Sequence, residues 1–214
     1  MAGLEPNIQQ DLVAAAQGLG QSEHRASALE GLGAGMAGLE LELRQSLVII
    51  AEGLDKSDQA SALEQLGAGV AGLAPEFQER LVAIAEGLSP AHCAKALRGL
   101  GTRVAEFARP LQERLIVLAC RLDEPAHRVN ALRGFGVAMA KLAPEHQMPL
   151  VFLVEGLDRP ADRISGLRAL QTGAAPLATE VQSRIDALVN GFAVPEDRVR
   201  ALAALLPVPP RNPN

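Results

Sequence analysis

The strongest constraint on the fold of this chain is an internal repeat of 34 or 35 residues. Each copy has one apolar anchor residue in a first predicted helix and a second anchor in a following helix. A fixed period of this size is typical of solenoids and other repeat architectures. The first-helix anchors are Leu12, Leu47, Leu81, Leu115, Leu150 and Ile185. The second-helix anchors are Leu29, Leu63, Leu97, Leu132, Leu167 and Leu202.

One copy, residues 75–108, shows the pattern of two amphipathic helices joined by a short turn. Pro75 suits the first position of a helix, and apolar residues then recur with helical spacing. We expect Gly87 to end the first helix in a left-handed conformation. Ser89 and Pro90 are expected to open the second helix as its N-cap and first residue. The apolar seam of that second helix is predicted to continue to Phe107.

Six such hairpins predict an all-α fold, namely a superhelical solenoid of about six stacked antiparallel helix-turn-helix repeats in one domain, residues 1–206. A closed helical bundle is the alternative. The regular period disfavours a bundle, because a bundle does not need every hairpin to look alike. A Pro-rich tail at 207–214 is expected to be a disordered end or linker. The repeats are placed near residues 6–40, 41–74, 75–108, 109–143, 144–178 and 179–206.

Glycines recur at fixed places in the second helices, although the chain has 20 of them in all. Since a glycine inside a helix costs about 1 kcal/mol relative to alanine, this placement predicts a close approach between neighbouring helices. The alternative is a composition bias of a GC-rich genome. The glycines two residues after the anchor are Gly31, Gly99 and Gly134, and those four residues after it are Gly33, Gly67, Gly101 and Gly136.

Composition narrows the class of protein and its setting. The chain is 48% hydrophobic but has no Trp and no Tyr, so a large core must be mostly aliphatic. No signal peptide is visible, and no apolar run reaches the roughly 18–20 residues of a membrane span. Cys93 and Cys120 make neither a disulfide framework nor a metal signature. We therefore expect a reduced cytoplasm, bacterial or host.

Charge is distributed unevenly along the chain, whose net charge is −5. Residues 1–79 carry −9, residues 80–141 carry +5 and residues 142–214 carry −1. The sign also changes along the row of residues that follow the second-helix anchors. If this row faces solvent, it offers a docking strip to a partner with acidic segments. The alternative is a solvated face with ordinary salt bridges between repeats. The row consists of Glu30, Glu64, Arg98, Arg133, Arg168 and Ala203.

A second row lies three residues before each first-helix anchor and is almost entirely glutamine. Because an amide both donates and accepts, such a row could grip an extended peptide. Hydrogen bonding between repeats is the interpretation we favour. The row consists of Gln9, Arg44, Gln78, Gln112, Gln147 and Gln182.

No motif for catalysis, for a cofactor or for a metal is found. The four histidines are spread along the chain rather than clustered as metal ligands would be. His92 and Cys93 are adjacent, so on a helix they point apart and do not form a nucleophile pair. The glycine runs lie within helical patterns, which disfavours a phosphate cradle. We expect no enzyme activity, no cofactor and no metal.

The period and the two-helix design look like the broad group of α-solenoids that includes tetratricopeptide, pentatricopeptide and HEAT-like repeats. Three segments also resemble the repeat of TAL effectors of plant-pathogenic bacteria: Leu73 to Glu76, Val82 to Ala85, and Ala96 with Leu97. The Gly-Gly-Lys that follows the base-reading pair in that family is absent here, where residues 87–90 read Gly-Leu-Ser-Pro. The resemblance implies a bacterial repeat protein, secreted as an effector, and not a DNA reader.

These observations predict a non-enzymatic scaffold that binds a protein or peptide on a solenoid surface, away from membranes, as a monomer or as part of a longer chain. The alternative is nucleic-acid binding through the basic middle strip, which the net charge of −5 and the few aromatics disfavour. A passive spacer in a longer chain is a third interpretation. The candidate contact residues are Arg98, Arg133, Arg168, Glu30, Glu64, Gln78, Gln112 and Gln147.

Overall fold

A computed structural model gives the fold of the chain for residues 5–33, 35, 38–170 and 177–206. These ranges contain twelve α-helices and no β-strand. The helices, numbered α1 to α12 in chain order, are Pro6–Gly18, Ser22–Gly33, Leu41–Glu52, Lys56–Leu66, Pro75–Glu86, Pro90–Leu100, Arg109–Cys120, Pro125–Ala138, Pro144–Glu155, Pro160–Leu170, Thr179–Asn190 and Pro195–Ala204.

The helices stack in two parallel series. Each odd-numbered helix, the first of its hairpin, packs on the odd-numbered helices of the neighbouring hairpins. The even-numbered second helices pack on one another in the same way. Such packing, in which each hairpin contacts its neighbours in chain order, is that of a solenoid. The predicted all-α solenoid is therefore confirmed.

The core follows the repeat anchors. In the second to fifth hairpins, the anchors of both helices are fully buried within one continuous hydrophobic cluster. At the two ends the pattern changes, since the side chain of Leu12 is 39% exposed and that of Leu202 is 51% exposed. The first and last hairpins thus expose residues whose equivalents in the interior hairpins belong to the core.

The second helices end earlier than the sequence pattern predicts. The third hairpin's second helix, α6, stops at Leu100, and the chain then winds more tightly as a 3₁₀ helix that begins at Gly101. The prediction of one α-helix carrying the seam to Phe107 is therefore wrong, although Val104 and Phe107 are both buried. The change of winding falls on a glycine, where helix propensity is low. The 3₁₀ segments are Gly67–Gly69, Gly101–Glu106 and Met139–Lys141.

The left-handed conformation expected for Gly87 is also wrong. Gly87 has φ −84° and ψ 2°, and its N–H donates to the carbonyl oxygens of Ala83 at 3.2 Å and Ile84 at 3.1 Å. The helix thus ends by right-handed tightening of its last turn. Among the described residues, Gly72 is the glycine with a positive φ, 74°.

The glycine at the end of a first helix leaves room for a cation from the preceding hairpin in two places. Arg25 Nη2 donates to the carbonyl oxygen of Gly53 at 3.1 Å, and Arg128 Nη1 donates to that of Gly156 at 3.1 Å. A Cβ atom on Gly156 would lie 3.3 Å from Arg128 Nη1. These bonds fasten the second helix of one hairpin to the end of the next first helix, and they use carbonyl groups that the helix itself leaves unpaired.

Glycines in the second helices bring neighbouring backbones together, as predicted. A Cβ atom built on Gly99 would lie closer than 3.0 Å to the backbone of Glu64 in the preceding hairpin. A Cβ on Gly134 would meet the backbone of Arg98 as closely, and one on Gly67 would meet that of Gly99. No other residue fits at these places unless the helices move apart. The contacts, rather than a composition bias, account for these glycines.

One predicted feature, the Pro-rich tail at 207–214, lies outside the described residues.

Candidate partner-binding surface

The row that follows the second-helix anchors lies on the solvent side of the second helices. Glu30, Arg133 and Arg168 are exposed, and Glu64 and Arg98 are half-buried. The stacking brings these residues, 34 or 35 apart in sequence, onto neighbouring helices α2, α4, α6, α8 and α10. We call these five residues the second-helix strip.

Two members of the strip pair with each other. Arg98 Nη2 donates to Glu64 Oε1 in an ion pair between neighbouring second helices. Lys95 Nζ lies 3.9 Å from Glu64 Oε2 and donates to Ser61 Oγ at 2.7 Å. For Glu64 and Arg98 the alternative interpretation, salt bridges between repeats, therefore holds. Glu64 therefore neutralises much of the charge of Arg98 within the fold itself.

Arg133 and Arg168 differ from Arg98 because no acidic residue stands in the strip before them. Neither side chain makes an ion pair or hydrogen bond with another described residue. Val137, one helical turn after Arg133, is half-exposed. The C-terminal end of the strip, on α8 and α10, thus offers two uncommitted guanidinium groups beside an apolar contact.

Two of the glutamines join consecutive repeats from within. Gln78 is buried; its Nε2 donates to the Leu73 carbonyl oxygen at 3.0 Å, and its Oε1 accepts from the Ala108 N–H at 2.9 Å. Gln147 is also buried and repeats this arrangement: it donates at 2.7 Å to the carbonyl oxygen of Leu142, before its own helix, and accepts at 3.3 Å from the N–H of Ala178, before the next first helix. The favoured interpretation, bonding between repeats, is confirmed for both. Their amides are not open to a partner.

Gln112, whose side chain is half-buried, also connects consecutive repeats. Its Nε2 donates to the Phe107 carbonyl oxygen at 2.8 Å, and its Oε1 lies 3.2 Å from Nδ1 of His146. His146 is buried in the next repeat, and its Nε2 lies 3.5 Å from Glu113 Oε1. The sequence pattern indicated no role for His146, whose contact depends on the stacking.

The first helices carry an exposed apolar row that sequence reasoning missed. It lies two residues after each first-helix anchor, on the side of the solenoid away from the second helices. Its larger members, Ile49, Val117 and Phe152, are each about half-exposed. The sequence contains this apolar row at the same spacing of 34 or 35 residues as the core rows. Only the exposure of its side chains in the folded chain distinguishes it from a core row. The full row is Ala14, Ile49, Ala83, Val117, Phe152 and Ala187.

Ion pairs between consecutive first helices flank this apolar row. Arg80 pairs with Glu52 at 3.4 Å, and Arg114 pairs with Glu86 at 2.7 Å. Arg184 pairs with Glu155 across the last two first helices. The cations beside the apolar row are thus already neutralised, in contrast to Arg133 and Arg168 of the second-helix strip.

The Arg114 pair is expected to make stability depend on pH. The hydrogen bond from Arg114 lowers the pKa of Glu86 below its ordinary value of 4.5. The contribution of Glu86 to stability is therefore full above its unfolded pKa and is lost as pH falls through the lower folded pKa. Because both side chains are more than one-third exposed, we expect Glu86→Gln to lower the free energy of unfolding by at most about 1 kcal/mol at neutral pH.

Urea unfolding of the parent and of Glu86→Gln at neutral pH and at successively lower pH measures this effect, since protonation of the carboxyl group in both states removes its contribution. We expect the difference between the two proteins to vanish in acid. Glu76→Gln, in the first turn of α5, is the matched control and is expected to show a smaller difference at neutral pH. An undiminished difference in acid would contradict the assignment to the ionised pair.

Burial raises the pKa of the Cys93 thiol to about 11, so at neutral pH it is protonated and not a nucleophile. Within the described ranges, no three His, Cys, Asp or Glu side chains are grouped so that they could hold a metal ion. Of the twelve helices in the part of the chain that the structure describes, none is both long and apolar enough to cross a membrane.

Comparisons with known proteins assign no family to the chain. No family model, no curated protein and no solved structure matches it. The functional interpretation therefore depends on the geometry and charge of the second-helix strip.

Proposed function

We propose that this chain is a non-enzymatic scaffold that binds an acidic, extended segment of a partner protein across α8 and α10. The observation that supports the proposal is that some arginines are neutralised by glutamates within the fold and others are not. Four arginines, Arg80, Arg98, Arg114 and Arg184, have glutamate partners, whereas Arg133 and Arg168 have none among the described residues. Exposed positive charge that is not used within the fold attracts carboxylates and steers their approach.

The spacing of the two arginines suits an extended chain. Packed helices lie about 8–10 Å apart, and an extended segment in the polyproline II conformation advances about 3.1 Å per residue with three residues per turn. Carboxylates three residues apart therefore lie on one side of such a segment, about 9 Å apart, and would meet Arg133 and Arg168 together. Guanidinium groups also favour carboxylates because they can bind them with two parallel hydrogen bonds.

Polar and apolar groups beside the arginines support the same kind of ligand. The half-buried side chains of Asn130 and Ser165 lie on the same helix face, one turn before Arg133 and Arg168. Asn130 Oδ1 lies 3.5 Å from Arg98 Nη1, and Ser165 Oγ donates to the Ala161 carbonyl oxygen at 2.9 Å. The N–H groups of the Asn130 amide and the lone pairs of Ser165 Oγ remain for a peptide backbone. Val137 offers an apolar contact on the far side of Arg133. We propose a partner segment with spaced acidic residues and at least one apolar residue.

Nucleic acid ranks below an acidic peptide as the ligand. The acidic end of the strip, Glu30 and Glu64, would repel a phosphate backbone, and Glu64 already neutralises Arg98. Phosphate binding depends on clustered cations, and binding of single strands also uses aromatic stacking. The large exposed apolar residue Phe152 lies on the first helices, away from the strip.

The finer class and setting are proposals as well. The helical hairpins and their period support membership in the broad group of tetratricopeptide-like and HEAT-like solenoids. The resemblance of residues 73–97 to a TAL-effector repeat supports a bacterial origin and a role as an effector. The cytoplasm of the bacterium or of a host cell is the setting we propose.

Fluorescence anisotropy with a synthetic peptide tests the proposed function. The labelled peptide has about 12 residues, with Glu at every third position and Ser, Gly and one Leu between them. We expect Arg133→Glu with Arg168→Glu to weaken its binding by roughly tenfold or more. The matched control, Arg121→Glu with Arg159→Glu, makes the same change of charge at exposed sites outside the strip and is expected to bind much as the parent does.

Three results would contradict this function. The first is an equal loss of affinity in the control variant, which would indicate binding by net charge alone. The second is equal affinity for a peptide of the same composition with its glutamates consecutive. The third is tighter binding of a single-stranded oligonucleotide with steep salt dependence, which would favour nucleic acid.

A further inference from the structure

The first repeat keeps the features with which interior repeats receive a preceding neighbour. Gly31 occupies the position of Gly99 and Gly134, whose missing side chains admit the backbone of the preceding repeat. A Cβ atom on Gly31, however, would meet nothing within 4 Å. Beside it, Leu12 and Leu19 line an open apolar groove of about 280 Å³. We call Leu12, Leu19 and Gly31 the N-terminal end face.

The last repeat exposes the opposite side of the same interface. Val199 is 64% exposed and Leu202 is 51% exposed, although the equivalent positions of the five other repeats are buried. In those repeats the following repeat covers them. We call Val199 and Leu202 the C-terminal end face.

The hydrogen bonds that fasten interior repeats have matching groups at the two end faces. Arg25 and Arg128 each donate to the carbonyl oxygen at the end of the following first helix, at 3.1 Å in both cases. Arg198 holds the same position in the last repeat, where one of its nitrogens donates to Asn190. A guanidinium group has five N–H donors, so others remain. The corresponding acceptor at the N-terminal end face is the Gly18 carbonyl group, at the end of α1.

We propose that copies of this chain associate head to tail, with the N-terminal end face of one copy stacked on the C-terminal end face of another. The contact continues the interface that already joins the interior repeats. Ala203, which takes the place of Glu64 in the last repeat, is a small residue to face Gly31.

Charge favours this orientation over a symmetric pairing of two N-terminal end faces. Arg198 and Arg200 flank the C-terminal end face, and both are exposed, although Arg200 Nη1 lies 3.5 Å from Asp197 Oδ1 of the same helix. Glu30 stands next to Gly31 at the other end and is exposed, in a region whose net charge is −9 over residues 1–79. Two N-terminal end faces together would bring like charges into contact. Head-to-tail contacts leave one free face at each end, so growth beyond a dimer follows.

Leu206 opposes the contact and so provides a specific test. It occupies the position of Gly67 and Gly101; a Cβ on Gly101 would lie 2.8 Å from the Phe135 nitrogen of the next repeat. Because α12 ends at Ala204, Leu206 lies beyond the helix, and its side chain is 68% exposed. It must turn aside when a second copy docks. We therefore expect weak association that Leu206→Gly strengthens.

Sedimentation velocity on the full chain, from about 5 µM to about 500 µM, tests the proposal. For the parent we expect the average mass to rise with concentration past that of a dimer. Gly31→Leu is expected to weaken association by roughly tenfold or more, because its side chain would occupy the docking space. Circular dichroism and the thermal midpoint should show that this variant folds, since the site is open.

The matched control is Ala14→Leu, which adds an apolar side chain to the same repeat in the exposed apolar row of the first helices. Ile49 and Val117 already hold the equivalent exposed place in other repeats, so we expect this variant to fold and to associate as the parent does. A parent and a Leu206→Gly variant that are both monomeric throughout the range would overturn the proposal. So would a mass that stops at a dimer and does not respond to Leu206→Gly, which would indicate symmetric pairing. Equal weakening by Gly31→Leu and Ala14→Leu would also overturn it.

Discussion

Replacing Gly99 by alanine is expected to lower the free energy of unfolding by about 3 kcal/mol, the upper part of the range for overpacking a well-packed interior. The added Cβ atom would lie closer than 3.0 Å to the backbone of Glu64. A backbone atom cannot rotate away as the end of a side chain can. The helices α4 and α6 must therefore separate, and the buried leucines between them lose contact.

The matched control for this substitution is Gly31→Ala, which makes the same chemical change at the same repeat position. A Cβ on Gly31 meets nothing within 4 Å, so no strain opposes the higher helix propensity of alanine. We expect Gly31→Ala to raise the free energy of unfolding by about 0.5–1 kcal/mol. The two substitutions should thus have opposite signs.

Urea unfolding followed by circular dichroism measures both changes, as shifts of the transition midpoint at unchanged slope. A loss below about 1 kcal/mol for Gly99→Ala, comparable to ordinary surface changes, would show that the helices separate at little cost. That result would contradict the explanation that close backbone approach requires glycine at positions 67, 99 and 134.

Replacing Gln78 by leucine is expected to lower the free energy of unfolding by about 2–3 kcal/mol, because it leaves one buried and one partly buried backbone group without partners. These are the Leu73 carbonyl group and the Ala108 N–H, which the amide bonds at 3.0 Å and 2.9 Å. Leucine has a similar size, so the cost reflects lost hydrogen bonds rather than a cavity. Leu73 precedes α5 and Ala108 precedes α7, so losing the two hydrogen bonds weakens the connection between consecutive repeats.

Gln182→Leu is the matched control, since Gln182 has the same repeat position but donates to Asp186 of its own helix. We expect it to change the free energy of unfolding by no more than about 0.5 kcal/mol. Urea unfolding again provides the comparison. Similar values for Gln78→Leu and Gln182→Leu would contradict the role assigned to the buried amide. Peptide binding at the second-helix strip should be retained by folded Gln78→Leu.

The sequence by itself determined the hairpins, their number and their stacking into an all-α solenoid. The reason is that helical periodicity is a local property, and that its recurrence every 34 or 35 residues leaves each hairpin with an apolar face to cover. The close approach of the second helices was also foreseen. Because glycine weakens a helix, its recurrence at Gly99 and Gly134 indicated a packing requirement imposed by a neighbouring repeat.

The tertiary structure alone decided what each repeated position does. Arg98 and Arg133 occupy the same position in consecutive repeats, yet Arg98 meets Glu64 of the preceding helix, whereas the strip residue before Arg133 is another arginine. Gln78 lies inside and Ile49 lies outside, although both stand at regular places on amphipathic helices. Burial and pairing depend on which residues a neighbouring repeat supplies, and a helical period does not specify those contacts.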